Sequence, residues 1–303
     1  MNKRMLEAPT LLYVKWPIWV LVPVALAMVE VFFFLGSTLY YILFGIVAGI
    51  YVGITQNVSL FTTGGIPLHV ELLAFLAVSL LLFAWVKWAE KRPIVSLGFF
   101  KENWFKELSL GFLIGGLMFS LSLLFVYLFG GVKLAGVDFS AGTIGFVMSI
   151  IPFWLIQGGT EELLTRGWLL PILNKRTNLA WAIGLSSSLF GVMHLGNDNV
   201  TVLSIVSIIL SGVTMALYML KRDNIWGVVG LHAAWNFFQG NIYGVSVSGS
   251  EAGNSLLHFA TQTGVPDWLS GGQFGIEGSL FASLVELAFI AYFAYGLMAE
   301  RKK

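Results

Sequence analysis

The chain has 303 residues, 57% of them hydrophobic and only 11% charged, with a mean hydropathy of +0.83. A soluble domain carries about a quarter charged residues, so a water-soluble fold is excluded and an integral membrane protein is expected. The net charge of +1 gives no reason to expect a nucleic-acid partner. Cysteine is absent, which excludes a disulfide frame, a thiol nucleophile and any cysteine-ligated metal.

Lys3, Arg4 and the apolar run through Ala25-Leu26-Ala27 imitate a signal peptide, but the run continues through Val31-Phe32-Phe33-Phe34-Leu35. That is too long for a cleaved segment, so a first membrane span is expected. A spanning helix needs about 20 mostly apolar residues. Candidate spans are 16–35, 38–55, 69–87, 109–130, 143–160, 178–195, 200–220, 225–240 and 279–298. Several are short, and the expected fold is all-α, a polytopic transmembrane bundle of about eight spans. Between 93 and 107, Lys101, Glu102, Lys106 and Glu107 alternate with Phe99, Phe100, Trp104 and Phe105, the pattern of an amphipathic helix lying in the interface. Residues 1–107 then read as N-terminal spans plus this helix, and 108–303 as the functional core, with a Gly/Ser-rich outer loop or lid at 241–277.

Basic residues set the orientation. Lys87, Lys91 and Arg92, then Lys175 and Arg176, then Lys221 and Arg222, and finally Arg301, Lys302 and Lys303 form four clusters, which the positive-inside rule places in the cytoplasm. The loops near 131–142, 196–199 and 241–277 fall outside. Lys3, Arg4 and Lys15 fit less well. Two spans before residue 56 would put them outside, unless 16–35 and 38–55 hold a single span.

Three polar intrusions interrupt apolar spans. In Glu161-Glu162-Leu163-Leu164-Thr165-Arg166, Glu162 and Arg166 are four apart and share a helix face, while Glu161 points elsewhere. Glu162 reads as the partner of Arg166, leaving Glu161 free to face a cavity as a general base. Neutralisation of Arg166 by both acids is the plainer alternative. Phe190-Gly191-Val192-Met193-His194 ends another run, with Asn197 opening the following loop. In His232-Ala233-Ala234-Trp235-Asn236 the His and Asn again share one face, separated by small residues that let another helix approach. The other two histidines, His69 and His258, fall at a boundary and in a loop. Polar groups inside a bundle are costly and tend to converge on function. A carboxylate and an imidazole can share a water, and a second His with a carboxamide suits a developing oxyanion. Such a set suits amide hydrolysis without a side-chain nucleophile; Ser and Thr occur widely, but no Gly-x-Ser-x-Gly elbow is present.

The ordered set Glu161-Glu162-x-x-x-Arg166, Phe190-x-x-x-His194 and His232-x-x-x-Asn236 resembles the CAAX-protease and bacteriocin-processing (CPBP, or Abi) family of intramembrane proteases. It is similar to the type II CAAX prenyl endopeptidases. The likeness covers about 143–240. It implies a glutamate-dependent peptidase in which Glu161 and His194 activate water, His232 and Asn236 stabilise the oxyanion, and Glu162 and Arg166 support the site. Some family members are tied to bacteriocin immunity or peptide maturation, and some are membrane scaffolds.

No cofactor is expected. Zinc is the alternative, because two histidines and two glutamates could bind it. Against it, the His-Glu-x-x-His helix is missing and Asn236 is a poor zinc ligand. A proton-coupled transporter, with Glu30, Glu71 and Glu286 as further candidates, predicts paired halves with broken helices, and no such symmetry is seen. A non-catalytic immunity or scaffold protein is the third class. The expected partners are the lipid bilayer and a peptide or membrane-protein substrate. The expected location is a prokaryotic plasma membrane with the C-terminus cytoplasmic.

Overall fold

The computed structural model describes residues 3–7, 16–58 and 66–301, apart from the side chain of Arg301. Among them, eight principal helices make a bundle with almost no sheet. Helix α1 is Ile18–Thr55 and α2 is Leu68–Ala84, prolonged by a wider π turn at Trp85–Ala89. Helix α3 is Trp104–Leu128. Helix α4 runs from Ala141 to Arg176 and contains a π stretch at Leu163–Leu169. Helices α5 (Leu179–Met193), α6 (Val202–Arg222), α7 (Trp226–Phe237, with a π turn to Ile242) and α8 (Leu280–Arg301) complete it. Six of these, α1–α4, α6 and α8, are long and apolar enough to cross a membrane, which makes this a multi-pass membrane protein. Helices α5 and α7 are shorter.

Capping chemistry explains where helices begin. The Ser140 and Asn178 side chains accept from the backbone N–H of Thr143 and Trp181, and Thr201 and Ser204 form a reciprocal capping box.

One open alternative is decided and one expectation is corrected. The segments 16–35 and 38–55 are one helix of 38 residues, roughly twice the length that about 30 Å of hydrocarbon requires. Gly36 and Ser37 separate the two segments, but the helix runs through them, and Gly36 packs against the backbone of Val78 on α2. Residues 93–107 do not form an interfacial helix. Pro93 opens a single tight turn, Ile94–Leu97. Gly98 and Asn103 then adopt left-handed φ of 104° and 54°, and α3 starts only at Trp104. Two left-handed positions five residues apart break any helical run between them.

The single α1 also removes the N-terminal conflict. Lys3 pairs with Glu300 at 2.9 Å, the Arg4 guanidinium with Glu102 at 3.3 Å, and the backbone N–H of Met5 donates to Asp223 at 3.0 Å. The first residues therefore sit at the end of the bundle where α3 begins and α6 and α8 finish. Lys15, Lys302 and Lys303 lie outside the described residues.

At the opposite end, β1 (Val132–Val137) pairs antiparallel with β2 (Leu257–Thr261). The expected outer loop at 241–277 is thus partly ordered. Asn241 donates to the carbonyls of Ala252 at 2.7 Å and Asn254 at 3.0 Å, and accepts from Trp154 Nε1 at 2.6 Å.

The tightest helix pair is α3 with α7. A Cβ on Gly111 or Gly115 would run into the backbone carbonyls of Gly227 and Leu231, so only glycine permits this approach. The contact presses α7 inward against α4. There Gly158 leaves room for His232, whose Cγ lies 3.1 Å from where a Cβ would stand.

Candidate active site

Helix α4 supplies the acids. Gln157 and Glu161 are one turn apart, as are Glu162 and Arg166, and all four are buried. Immediately after Glu162 the helix widens into its π stretch, closed by the Leu170 N–H bonding back to the Thr165 carbonyl. Pro171 follows and lacks the N–H that an α-helix would send to Gly167. The wider turn accommodates that loss. π-Turns are frequent at functional sites. Thr160, one residue before Glu161, fastens α4 to α2 through Ser79 Oγ at 2.8 Å and the Phe75 carbonyl at 2.9 Å.

The two glutamates divide as their helical phase suggests. Glu162 is fully buried, and its Oε1 accepts from Arg166 Nη1 at 3.0 Å and from His232 Nδ1 at 2.9 Å. Arg166 also donates to Thr165 Oγ1 at 2.7 Å and to the Gly212 carbonyl at 2.9 Å, and its guanidinium lies 4.7 Å from the centre of the Phe190 ring. A buried charge needs this density of partners. Glu161 Oε1 accepts from Gln157 Nε2 at 2.8 Å, while its Oε2 has no hydrogen-bond partner and faces His232 Nε2 at 3.5 Å.

Each histidine has one ring nitrogen fixed. His194 Nδ1 lies 2.7 Å from the Phe190 carbonyl. A carbonyl only accepts, so Nδ1 carries the proton and Nε2 of the neutral ring is left as an acceptor. His232 Nδ1 faces Glu162, which holds Arg166, so Nδ1 is again the donor.

Glu161, His194, His232 and Asn236 all line one cavity of about 620 Å³, between α1, α2, α4, α5, α6 and α7. It extends to residues 196–198 and 247–252, at the end of the bundle opposite the basic clusters. Glu30 and Glu71 line it as well, whereas the buried Glu286 accepts from Ser211 Oγ at 2.8 Å. Asn197 is a loop residue, as expected, but it also lines the cavity and donates to the Ser248 carbonyl at 2.9 Å. His69 bonds Ser149 and His258 bonds Ser255, and both lie outside the cavity lining.

Two participants escaped the sequence reading. Gln157 was legible as a polar side chain one turn before Glu161. Glu277 gave no signal, because it lies in a segment without helical periodicity. Its carboxylate accepts from the Ser248 N–H and hydroxyl and from Trp235 Nε1, and so ties the 246–250 loop over the cavity to α7.

Among the described residues no group of three or more His, Asp or Glu side chains is placed to hold a metal ion. Glu162 is committed to Arg166 and His232.

Comparison with known families finds a match over residues 143–238, to the family described as type II CAAX prenyl endopeptidase Rce1-like. No curated protein and no solved structure matches the chain. The matched stretch holds all three motifs and the helices that bring them together. Residues 143–238 of this multi-pass membrane protein are thus similar to the Rce1-like family.

Proposed function

We propose that the protein is an intramembrane endopeptidase that hydrolyses a peptide bond with water activated by Glu161 and His194. The observation that carries this reading is that Glu161, whose Oε2 makes no hydrogen bond, lines the same cavity as a His194 whose tautomer leaves Nε2 as an acceptor. A water donating one hydrogen to each would turn a lone pair toward the scissile carbonyl. Glu161 takes the proton as the hydroxide adds to the carbonyl carbon. The oxyanion is held by Asn236 and His232, and Glu161 returns the proton to the departing amine as the C–N bond breaks. His232 can donate from Nε2 only as the imidazolium, with Nδ1–H still on Glu162, so the two carboxylates beside it suit that role. Glu162 and Arg166 hold His232 in place.

The site works in this reading without a metal, because Glu162 and His232 are committed to one another and Glu162 also to Arg166. The substrate is a membrane-associated peptide, a leader peptide or the tail of a membrane protein. Prenylated C-terminal tails, named in the family description, form one class to try. The gathering of basic residues at one end of the bundle supports a cytoplasmic C-terminus in a prokaryotic plasma membrane. Peptidomics of membranes from cells carrying the wild type or Glu161→Gln tests the reading. Peptides that appear only with the wild type support it. Identical peptide sets refute it.

A further inference from the structure

Glu161, Gln157 and Asn236 form a continuous hydrogen-bonded chain across two helices. Asn236 Nδ2 donates to Gln157 Oε1 at 2.8 Å, and Gln157 Nε2 donates to Glu161 Oε1 at 2.8 Å. Glu161, Gln157 and Asn236 are all buried, at 7%, 8% and 6% exposure. The orientation of both amides follows from one end. A carboxylate oxygen accepts, so Gln157 must turn its NH₂ to Glu161 and its oxygen to Asn236. Asn236 must then answer with its own NH₂.

We infer that Gln157 is a positioning residue that couples Asn236 on α7 to Glu161 on α4, so that base and oxyanion donor are held as one unit. This deepens the peptidase reading and rests on it for its purpose, though the coupling itself can be read without any cleavage. Gln157 bonds Oε1 of Glu161, and Oε2 is the oxygen without a hydrogen-bond partner. Gln157 uses one of the two Asn236 amide hydrogens and leaves the other for an oxyanion. It also holds the distance between the two groups through two fixed bonds, which a transition-state site requires. The chain has a polarity that chemistry cannot reverse. A carboxylate at 236 would face the Gln157 oxygen. If Gln157 turned over to relieve that contact, its oxygen would face Glu161.

Infrared spectroscopy of the purified full-length protein in lipid nanodiscs tests the coupling. The Glu161 carboxyl bands are those lost from the wild-type spectrum in Glu161→Gln. Gln157→Met is close in shape and lacks the amide, and it should shift those bands. Asn236→Ala should shift them in the same direction by a smaller amount. In the double variant the Asn236 change should add nothing, because its effect passes through Gln157. A structural role for Gln157 would leave the Glu161 bands in place while lowering the unfolding temperature. The inference is overturned if Gln157→Met leaves the bands unmoved, or if Asn236→Ala shifts them equally with and without Gln157. Should Gln157→Met fail to fold, Asn236→Ala alone decides, since unmoved bands there break the chain. Absence of peptide cleavage would sink the peptidase reading without altering these spectra.

Discussion

His232 rests on Glu162, with Nδ1 2.9 Å from the carboxylate oxygen that also receives Arg166. This one oxygen joins α7 to α4. It also explains why two adjacent glutamates are needed. One is consumed in holding the second histidine, and of the two only the other, Glu161, lines the cavity.

Breaking this buried pair should be costly in one direction only. Arg166→Met leaves Glu162 charged and short of a donor, and is expected to destabilise the protein by about 3–5 kcal/mol. The double variant Glu162→Gln/Arg166→Met removes both charges and should be milder. Reversible unfolding in detergent, followed for the two variants and the wild type, checks the difference.

The close approach at Gly158 predicts a separation of activity from stability. A methyl there would meet Ala233 N and His232 Cγ, each at 3.1 Å. Gly158→Ala should therefore displace His232 by a few tenths of an ångström while the bundle stays folded. A fall in turnover of about tenfold or more, with a small change in unfolding temperature, is expected. Gly115→Val, which drives a side chain into the Leu231 carbonyl, should lower folded yield instead.

Much of this was legible before any coordinates. The i,i+4 spacings of Glu162 with Arg166 and of His232 with Asn236 fixed which groups share a face, because helix geometry alone decides it. Burial of Glu161, Glu162, Arg166, His232 and Asn236 near one another follows from the cost of polar groups in a bundle, and His194 beside them is half-buried. The hydrogen bond of Gln157 to a residue on another helix was not legible, since periodicity says nothing about what lies across an interface. Glu277 was invisible for a related reason, as irregular backbone carries no period. The interfacial helix expected at 93–107 failed because its charge alternation was real but Gly98 and Asn103 turn left-handed.

The 246–250 loop should behave as a tethered strap. Ser248 is held by Asn197 on one side and by Glu277 on the other. Glu277→Ala removes three hydrogen bonds and should raise amide exchange at 246–250 well above that of the wild type, while exchange in α3 stays unchanged. Hydrogen-exchange mass spectrometry reads both.

Asp138 makes the start of α4 sensitive to acid. The Thr143 hydroxyl, and then the Ser140 N–H, hold its carboxyl below the usual carboxylate range. A carboxyl lowered in the folded state adds stability that is complete above its unfolded value of about 3.9 and disappears as pH falls through the folded value. The unfolding temperature of the wild type should therefore drop more steeply below about pH 4 than that of Asp138→Asn. Parallel pH profiles would contradict the assignment.

The most direct measurement is cleavage by purified protein of a peptide that membrane peptidomics has identified, comparing wild type with Glu161→Gln in the presence of excess chelator. The expected result is full wild-type turnover under chelation and a loss of about 100-fold or more in the variant. Equal turnover in the two proteins would contradict a role for Glu161 as the base. Loss of wild-type activity under chelation, restored by added zinc, would contradict the metal-free reading.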